Sequence, residues 1–507
     1  MIKTTLALLT AAALPLAAGA EPAARETADY WRLQGQQALQ AALASQPNTN
    51  RAKHVILFVG DGNGVATVTA TRIFDGQAKG MTGEENQLSY ERFPHLALAK
   101  TYNTNQQTPD SAGTMTAMVT GVKTSAGVIS VGPEVTPGDC RNLAGSELPT
   151  LLQQARARGL ATGIVSTTRI THATPAATYA HSPQRNWEAD TDIPAPMRDC
   201  GRDIARQLVE NGPLDVVLGG GRSQFMPAAS KDPEYPDISG KRGDGRDLIA
   251  EWLTANPEGH YVWNQGQFKA LAGTTGGPLL GLFEPSHMLY EADRRMGKGD
   301  EPSLAEMTAA AIARLQARDK GFFLMVEGGR IDHAHHAGNA HRALVDGQAL
   351  AEAVQVAVDS TSAEDTLIIV TADHSHVLTM AGYATRGNPI LGTVVTNDEH
   401  GHSSGEPYLA ADGRPFTTLG YTNGPGYGQV DSPEARYLQK PRAGRFLAPG
   451  EDTTGVNFHQ ESLVPLAAET HGGEDVAIYA SGPWAHLVHG VQEQSYIYQV
   501  MRHALGL

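Results

Sequence analysis

Five short apolar runs constrain the fold of this chain more than any other feature of its sequence. They are bounded by Gly, Asp or Ser and span residues 54–60, 161–166, 214–219, 321–326 and 366–371. Helix candidates lie beside them at 147–158, 199–210, 303–318 and 341–360, the last with Leu344, Leu350, Val354 and Val358 at helical spacing. Strands that alternate with helices predict an α/β fold, with a doubly wound, mostly parallel central sheet flanked by helices.

Residues from about 383 to 455 have a different composition. They are rich in Gly, Pro, Thr, Asn and Asp and contain few helical patterns, which predicts an insertion of turns and short strands. Regular patterns resume near residue 469, and a closing helix is expected at 494–504. We therefore predict a single large α/β domain over residues 21–507 that carries this small irregular insertion. The 41% hydrophobic content is enough for a sizeable core.

The first twenty residues have the pattern of a secretory signal peptide. Lys3 precedes an apolar stretch that starts at Leu6, and Ala18-Gly19-Ala20 fits a small-x-small cleavage site. No later run is long enough for a membrane helix, so we expect an exported protein, either periplasmic or secreted. Removal of the peptide would take the net charge from −15 to −16, because Lys3 is its only charged side chain. This acidic balance argues against nucleic acid as a partner.

Only two cysteines occur, Cys140 and Cys200. In an oxidising compartment a single disulfide is the expected arrangement, and two buried free thiols are the alternative. Their separation excludes a Cys-x-x-Cys zinc or redox pair.

Residues 327–336 place two carboxylates and three imidazoles directly after an apolar strand-like run. Open α/β sheets bind ligands at the carboxyl ends of their strands, so this composition indicates a metal site. If a helix begins near Asp332, then Asp332 and His336 lie four residues apart on one helical face and can bind one ion. A solvated, histidine-rich helix start is the alternative, since acids are ordinary in a first helical turn.

Further metal-ligand candidates follow two other strands and one loop. Asp61 comes between glycines after the strand at 54–60, Asp373 and His374 follow the strand at 366–371, and His471 lies in a glycine-flanked loop. Adjacent residues in a strand point to opposite faces, so Asp373 and His374 share an ion only if the chain leaves strand geometry there. Oxygen and nitrogen ligands without thiolate suit zinc together with a magnesium-type ion.

Ser111 is the nucleophile candidate. Pro109 and the small residues after Ser111 predict a helix that begins here and ends near Gly121. The unpaired amides and the dipole of a helix N-terminus favour an anion and a deprotonated hydroxyl. The alternative is an ordinary serine N-cap. The context is not Gly-x-Ser-x-Gly, so a Ser-His-Asp triad is disfavoured.

These motifs, taken in order, resemble those of the alkaline phosphatase family and within it the animal-type branch. The matching segments are VGDG (59–62), PDSAG (109–113), THATPAATYAH (171–181), RNW (185–187), VEGGRIDH (326–333), TADHS (371–375), ETHGGEDV (469–476) and HLVHGVQEQ (486–494). A single match would carry little weight, but so many in order are specific.

The resemblance implies a role for each motif residue. Asp332, His336 and His471 would hold one zinc ion. We expect His335 to be a bystander; the alternative is that it competes as a ligand, since it lies three residues from Asp332. Asp61, Asp373 and His374 would hold the second zinc, completed by the Ser111 oxygen. Magnesium would be held by Asp61, Thr174 and Glu327, with His172 acting through water. Arg185 would clamp the phosphate, and His333 would line the site beside it.

Two further features are implied by the resemblance. A calcium-like site would use Glu234, the Phe283 carbonyl, Glu284 and Glu301, although Glu301 replaces the family's aspartate after a locally different length. Residues 383–455 would correspond to the family's interfacial crown region, here matched only in fragments such as NGPGY (423–427), which implies a homodimer.

The expected function is hydrolysis of small phosphate monoesters through a phosphoserine on Ser111. Related two-metal phosphodiesterases or sugar-phosphate hydrolases are the nearest alternative, disfavoured because Arg185 and the magnesium ligands suit a monoester dianion. The other alternative function is an exported protein that binds phosphate or metal without turnover.

Overall fold

The apolar run at 54–60 forms a strand whose seven residues are all buried. Val55, Leu57 and Val59 face one apolar core, whereas Ile56 and Phe58 face another. Successive side chains of a strand point to opposite faces, so both faces of the sheet are covered here. A strand buried on both sides is typical of a sheet with helices on either face.

The structure is a computed structural model that describes residues 26–212, 214–271, 273–448 and 450–507. The predicted signal peptide, residues 1–20, lies outside the described residues. The chain divides into two compact units, Met1–Gln46 and Pro47–Leu507. The single domain predicted over residues 21–507 stays a prediction.

The helices are α1 (Ala28–Ala44), α2 (Val65–Ala78), α3 (Ser111–Thr120), α4 (Leu151–Ala157), α5 (Ala173–Ala176), α6 (Ile204–Glu210), α7 (Leu248–Ala255), α8 (Gln265–Ala270), α9 (Glu291–Arg295), α10 (Leu304–Gln316), α11 (Arg330–His336), α12 (Ala340–Ser360), α13 (Pro433–Tyr437) and α14 (Tyr496–Leu505). Helix α1 belongs to the first unit and has no buried residue. Among the described residues, no helix is both long and apolar enough to cross a bilayer.

The strands are β1 (His54–Gly60), β2 (His95–Lys100), β3 (Ala161–Arg169), β4 (Val216–Gly220), β5 (His260–Val262), β6 (Leu279–Leu282), β7 (Phe322–Gly328), β8 (Thr366–Ala372), β9 (Ser375–His376), β10 (Leu378–Met380), β11 (Val395–Asn397), β12 (Ser403–Pro407), β13 (Leu419–Gly424), β14 (Gly428–Gln429), β15 (Phe458–His459), β16 (Ser462–Pro465), β17 (His471–Gly472), β18 (Val476–Ser481) and β19 (Val491–Glu493).

Ten of these strands form one sheet in the order β19-β2-β18-β8-β1-β7-β3-β4-β6-β5. Neighbouring strands from β8 to β5 are parallel, and β18 pairs antiparallel with both β8 and β2. The predicted doubly wound, mostly parallel sheet is thus confirmed, with all five predicted strands present. The helix predicted at 147–158 starts later, at Leu151, because Thr150 is its N-cap and its side chain accepts a hydrogen bond from the Gln153 amide.

The 383–455 stretch contains turns, the short helix α13 and the short strands β11 to β14, as its composition predicts. Strand β13 joins this stretch to its flanks, because it pairs with β10 on one side and β16 on the other. Cys140 and Cys200 form the predicted disulfide across 60 residues, so the alternative of two free thiols is wrong.

Candidate active site

The carboxyl ends of three adjacent strands lie level at one edge of the sheet. Gly60 at the end of β1 is in register with Gly328 of β7 and with Ala372 of β8. The residues that follow β1 and β8, together with Glu327 of β7, are therefore brought together by the register of the sheet alone. Asp373 and His374 come after β8 has ended, so the chain does leave strand geometry where two adjacent ligands require it.

Helix α3 begins at Ser111, and Gly121 ends it in the left-handed conformation with φ of +79°. The N-cap is Asp110, whose carboxylate accepts a hydrogen bond from the Gly113 amide. Ser111 is therefore the first helical residue, and the alternative that it is an ordinary cap is wrong. Its hydroxyl is buried and faces the strand ends instead.

Ser111 lies against the cluster formed by Asp61, Asp373 and His374. Its Oγ is 3.1 Å from His374 Nε2 and 3.4 Å from Asp61 Oδ1. His374 Nε2 is in turn 3.3 Å from Asp61 Oδ1 and 3.2 Å from Asp373 Oδ2. Three ligand-type side chains and one hydroxyl thus converge on one buried point; that this point holds the second zinc ion stays a prediction.

Asp332, His336 and His471 form a second cluster. Asp332 Oδ1 is 3.2 Å from His336 Nε2 and 3.4 Å from His471 Nε2, and the two imidazole nitrogens are 3.2 Å apart. Helix α11 begins at Arg330, so Asp332 and His336 do lie one turn apart on one face. His471 arrives from the two-residue strand β17, which pairs with β9.

Sequence reasoning gave no role to His376 and Glu469, which connect these clusters. His376 Nε2 is 2.9 Å from Asp332 Oδ1, and its Nδ1 is 2.6 Å from Glu469 Oε2. Burial lowers the pKa of His376, but the Glu469 and Asp332 carboxylates outweigh it and raise this pKa to about 10. The spacing of His374 and His376 could have indicated this contact, because side chains two residues apart in a strand point to the same face.

Asp61, His172 and Glu327 form a third cluster of possible ligands. Among the described residues none donates a hydrogen bond to Asp61 Oδ2 or Glu327 Oε1, and His172 Nδ1 is also buried without a partner. Burial, followed by the charge of Asp373, raises the pKa of Asp61; burial and the charge of Asp373 also raise the pKa of Glu327. The Thr174 hydroxyl lies close enough to oppose that rise at Glu327. Orphaned oxygens and mutually repelling carboxylates are what a hard cation would satisfy.

Arg185 and His333 border these clusters. One guanidinium nitrogen of Arg185 donates to Asp110 Oδ2 at 3.1 Å, and the other is 3.0 Å from His172 Nε2. The His333 ring lies 5.5 Å from the His172 ring and is partly exposed. The planar fork of Arg185 can bind two oxygens of a phosphate.

The calcium-like set is arranged differently. Arg222 donates to Glu234 Oε2 at 3.2 Å and to the Phe283 carbonyl at 3.2 Å. Burial and the charge of Glu234 raise the pKa of Glu284 to about 7, and burial with the charge of Glu284 raises that of Glu301. Within the described ranges, these acids do not join any group of three ligand atoms that lie within 4.8 Å of one another.

Comparison with known proteins identifies the family. A model of the alkaline phosphatase family matches residues 52–507. The chain is 46% identical to the tissue-nonspecific alkaline phosphatase isozyme of Gallus gallus over 506 residues, which covers 98% of this chain and 93% of that protein. It is 44% identical to an alkaline phosphatase of Gadus morhua, with 94% of this chain and 96% of that protein covered.

Solved structures agree with this result. The alkaline phosphatase of Thermus thermophilus is 25% identical and covers 93% of this chain and 95% of its own, with a TM-score of 0.64. That of the Antarctic bacterium TAB5 has a TM-score of 0.60 at 21% identity, with 90% of this chain and 99% of its own covered, which supports the fold alone. The chain belongs to the alkaline phosphatase family.

Proposed function

We propose that this enzyme hydrolyses small phosphate monoesters through a phosphoserine formed on Ser111. The observation that carries the proposal is the position of the Ser111 hydroxyl, 3.1 Å from His374 Nε2 at the first residue of a buried helix. A helix N-terminus stabilises both an alkoxide and an approaching phosphate. In the first step the serine oxygen bonds to phosphorus as the bond to the leaving alcohol breaks; in the second, water releases phosphate.

Three sets of residues would hold the metal ions. Zinc would be held by Asp332, His336 and His471 and by Asp61, Asp373 and His374, and magnesium by Asp61, Thr174 and Glu327 with His172 through water. The buried, unpartnered oxygens of Asp61, Asp373 and Glu327 support cation binding. Bound there, the ions supply Lewis acidity to the attacking and leaving oxygens.

Arg185 and His333 would act on the phosphate itself. The guanidinium can bind two phosphate oxygens through parallel N–H donors and offset the charge of a monoester dianion. The Asp110 carboxylate, 3.1 Å from Arg185, keeps the guanidinium oriented. Because Asp110 also caps α3, this one side chain positions both Arg185, which would bind the phosphate, and Ser111, the nucleophile.

Phosphoryl trapping tests this proposal directly. We expect a ³²P-labelled monoester, quenched in acid, to label Ser111 in the wild type, and Ser111→Ala to lose most hydrolysis, about a thousandfold or more, while it retains zinc and magnesium. Full activity of Ser111→Ala would contradict the proposal. A nitrophenyl diester hydrolysed faster than the nitrophenyl monoester would favour the phosphodiesterase alternative, and binding of phosphate without turnover would favour a binding protein.

We also propose that residues 1–20 direct export, to the periplasm or beyond the cell, and that residues 383–455 contribute to a homodimer. N-terminal sequencing of the secreted protein tests the first statement, and sedimentation tests the second. The calcium-like set of Glu234, Phe283, Glu284 and Glu301 stays a prediction, which calcium titration of the wild type and Glu301→Gln would test.

A further inference from the structure

Three histidines line the open side of the site, and one of them has no role in the proposed mechanism. His172, His287 and His333 each offer a ring nitrogen within 4.8 Å of the other two, and all three are partly exposed. The His287 ring lies 4.2 Å from the His333 ring and 5.2 Å from the His172 ring. His287 follows β6 in a loop and is outside every ligand set described above.

Each of these imidazoles contacts a different arginine. Arg185 Nη2 is 3.0 Å from His172 Nε2, and Arg330 Nη1 is 3.0 Å from His333 Nδ1. Arg169 Nη1 is 2.5 Å from the Nε2 of the third ring, His287. Guanidinium can only donate, so the contacted ring nitrogens of His172 and His333 must accept.

This proton assignment leaves donors without acceptors. His287 Nδ1 accepts from the Arg169 backbone N–H at 3.2 Å, so its ring proton is on Nε2, which faces another donor, the Arg169 guanidinium, at 2.5 Å. By the same argument His333 carries its proton on Nε2, whose nearest acid oxygen, Asp332 Oδ2, is 4.0 Å away. Unpartnered N–H groups beside guanidinium groups attract an anion.

The same contacts disfavour a metal ion in this cluster. A metal needs a free nitrogen lone pair on each ring, but in His287 and His333 Nδ1 already accepts from an arginine and Nε2 carries the proton. Two of the guanidinium groups have close acid partners, Glu188 for Arg169 at 2.6 Å and Asp110 for Arg185 at 3.1 Å. Among the described residues, the ion pair of Arg330 is with Glu434 at 3.9 Å, so its charge is the least compensated of the three.

We propose that His287, together with Arg169 and Arg330, forms a subsite for a second anionic group of the substrate. The enzyme would then favour phosphate monoesters whose alcohol carries a carboxylate or a second phosphate. The inference rests on the proposed function, because the phosphoryl group is placed at Arg185, which contacts His172 and so adjoins the histidine cluster.

Three substrates that share a three-carbon spacer test the proposal: propyl phosphate, 3-phosphooxypropanoate and propane-1,3-diol bisphosphate. The readout is the ratio of kcat/KM for each anionic ester to that for propyl phosphate, compared between variants, so that intrinsic ester reactivity cancels. The variants are His287→Asp and His287→Asn, which have the same size and differ by one negative charge. His489→Asp adds the same charge at an exposed histidine outside the cluster and is the matched control.

We expect both ratios to fall about tenfold in His287→Asp relative to His287→Asn, because like charges repel, and to be unchanged in His489→Asp. The two anionic esters separate a carboxylate from a phosphate as the preferred group. Raising the ionic strength should lower both wild-type ratios.

Equal ratios in His287→Asp and His287→Asn, with both variants folded by circular dichroism, would overturn the inference. So would one zinc equivalent per chain that is present in the wild type and lost in His287→Asn, since the cluster would then bind a metal. If the wild type hydrolyses no propyl phosphate at all, the proposed function itself has failed.

Discussion

In His336 and His471, the hydrogen bond that Nδ1 makes determines that Nε2 faces the cluster around Asp332. His336 Nδ1 donates to the Glu469 carbonyl at 2.6 Å, and His471 Nδ1 donates to the Pro109 carbonyl at 2.7 Å. These backbone contacts fix each ring so that its Nε2 points into the site. His335 is different because both of its nitrogens are occupied, by Thr67 Oγ1 at 3.0 Å and by the Tyr421 hydroxyl at 2.8 Å.

We therefore expect His336→Ala to lose one zinc equivalent per chain together with most of its activity, and His335→Ala to retain the zinc. Metal content by mass spectrometry after dialysis measures this difference. His335→Ala also removes a buried contact to Tyr421, so its melting temperature should fall even though its metal content does not. The assignment is contradicted if the two variants lose zinc equally.

Helical spacing alone predicted that Asp332 and His336 lie on one face of α11, because they are four positions apart. It could not predict that His376 approaches Asp332, since that contact depends on the pairing of β9 with β17, two strands of only two residues. The contact between Glu469 and His376 could not be predicted for the same reason, because the two residues are 93 positions apart in the sequence.

At the scale of elements, the turn after β1 is the tightest point of the site. Gly62 has φ of +70°, and a Cβ there would come within 2.3 Å of the His376 ring. Only glycine combines the left-handed conformation with so close an approach. The glycines around Asp61 predicted a sharp turn, but they did not predict that the His376 ring would contact this turn.

Gly62→Ala should therefore impair metal binding and activity far more than its effect on the backbone explains. Gly80→Ala is the matched control, because Gly80 has φ of +80° with no atom within 4 Å of its would-be Cβ. Both variants should lose about 1–2 kcal/mol of unfolding free energy from the backbone. Only Gly62→Ala should raise the zinc concentration needed for half-maximal activity; an equal rise in Gly80→Ala would refute the explanation.

Glu461, which follows the 383–455 stretch, makes the stability of the folded protein depend on pH. Burial, opposed in part by Arg445, raises the pKa of this carboxyl to about 7 from an unfolded value near 4.5. The folded state thus binds the proton more tightly, and the stability that Glu461 contributes is present below pH 4.5 and lost as pH rises to about 7. Thermal melts should show Glu461→Gln gaining stability relative to the wild type between pH 5 and pH 8. A constant difference across that range would contradict this.

At the scale of the whole molecule, the alternation of strands and helices was predictable because each buried strand is a continuous apolar run, as in β7 and β8. The antiparallel strand β18 was not, since its residues do not differ in pattern from those of a parallel strand. Its direction depends on the long connection that runs from β8 through the 383–455 stretch, and no local sequence pattern predicts how that connection returns to the sheet.

The Cys140–Cys200 disulfide ties a 60-residue segment that includes β3 and His172. On the loop-entropy model such a crosslink stabilises by about 4 kcal/mol. Replacing both cysteines with alanine should therefore lower the unfolding free energy by up to that amount, while kcat at 25 °C stays near that of the wild type. Denaturant unfolding measures the loss; a double variant as stable as the wild type would rule out this contribution.

The β9–β17 pairing also bears on how the protein is made. His471 comes 135 residues after His336 in the chain, and β18, which separates β2 from β8, comes later still. A nascent chain, which emerges N-terminus first, has neither a complete sheet nor a complete cluster around Asp332 until β17 and β18 have been synthesised. A chain that has not yet reached β17 therefore cannot bind a metal ion through Asp332, His336 and His471 together.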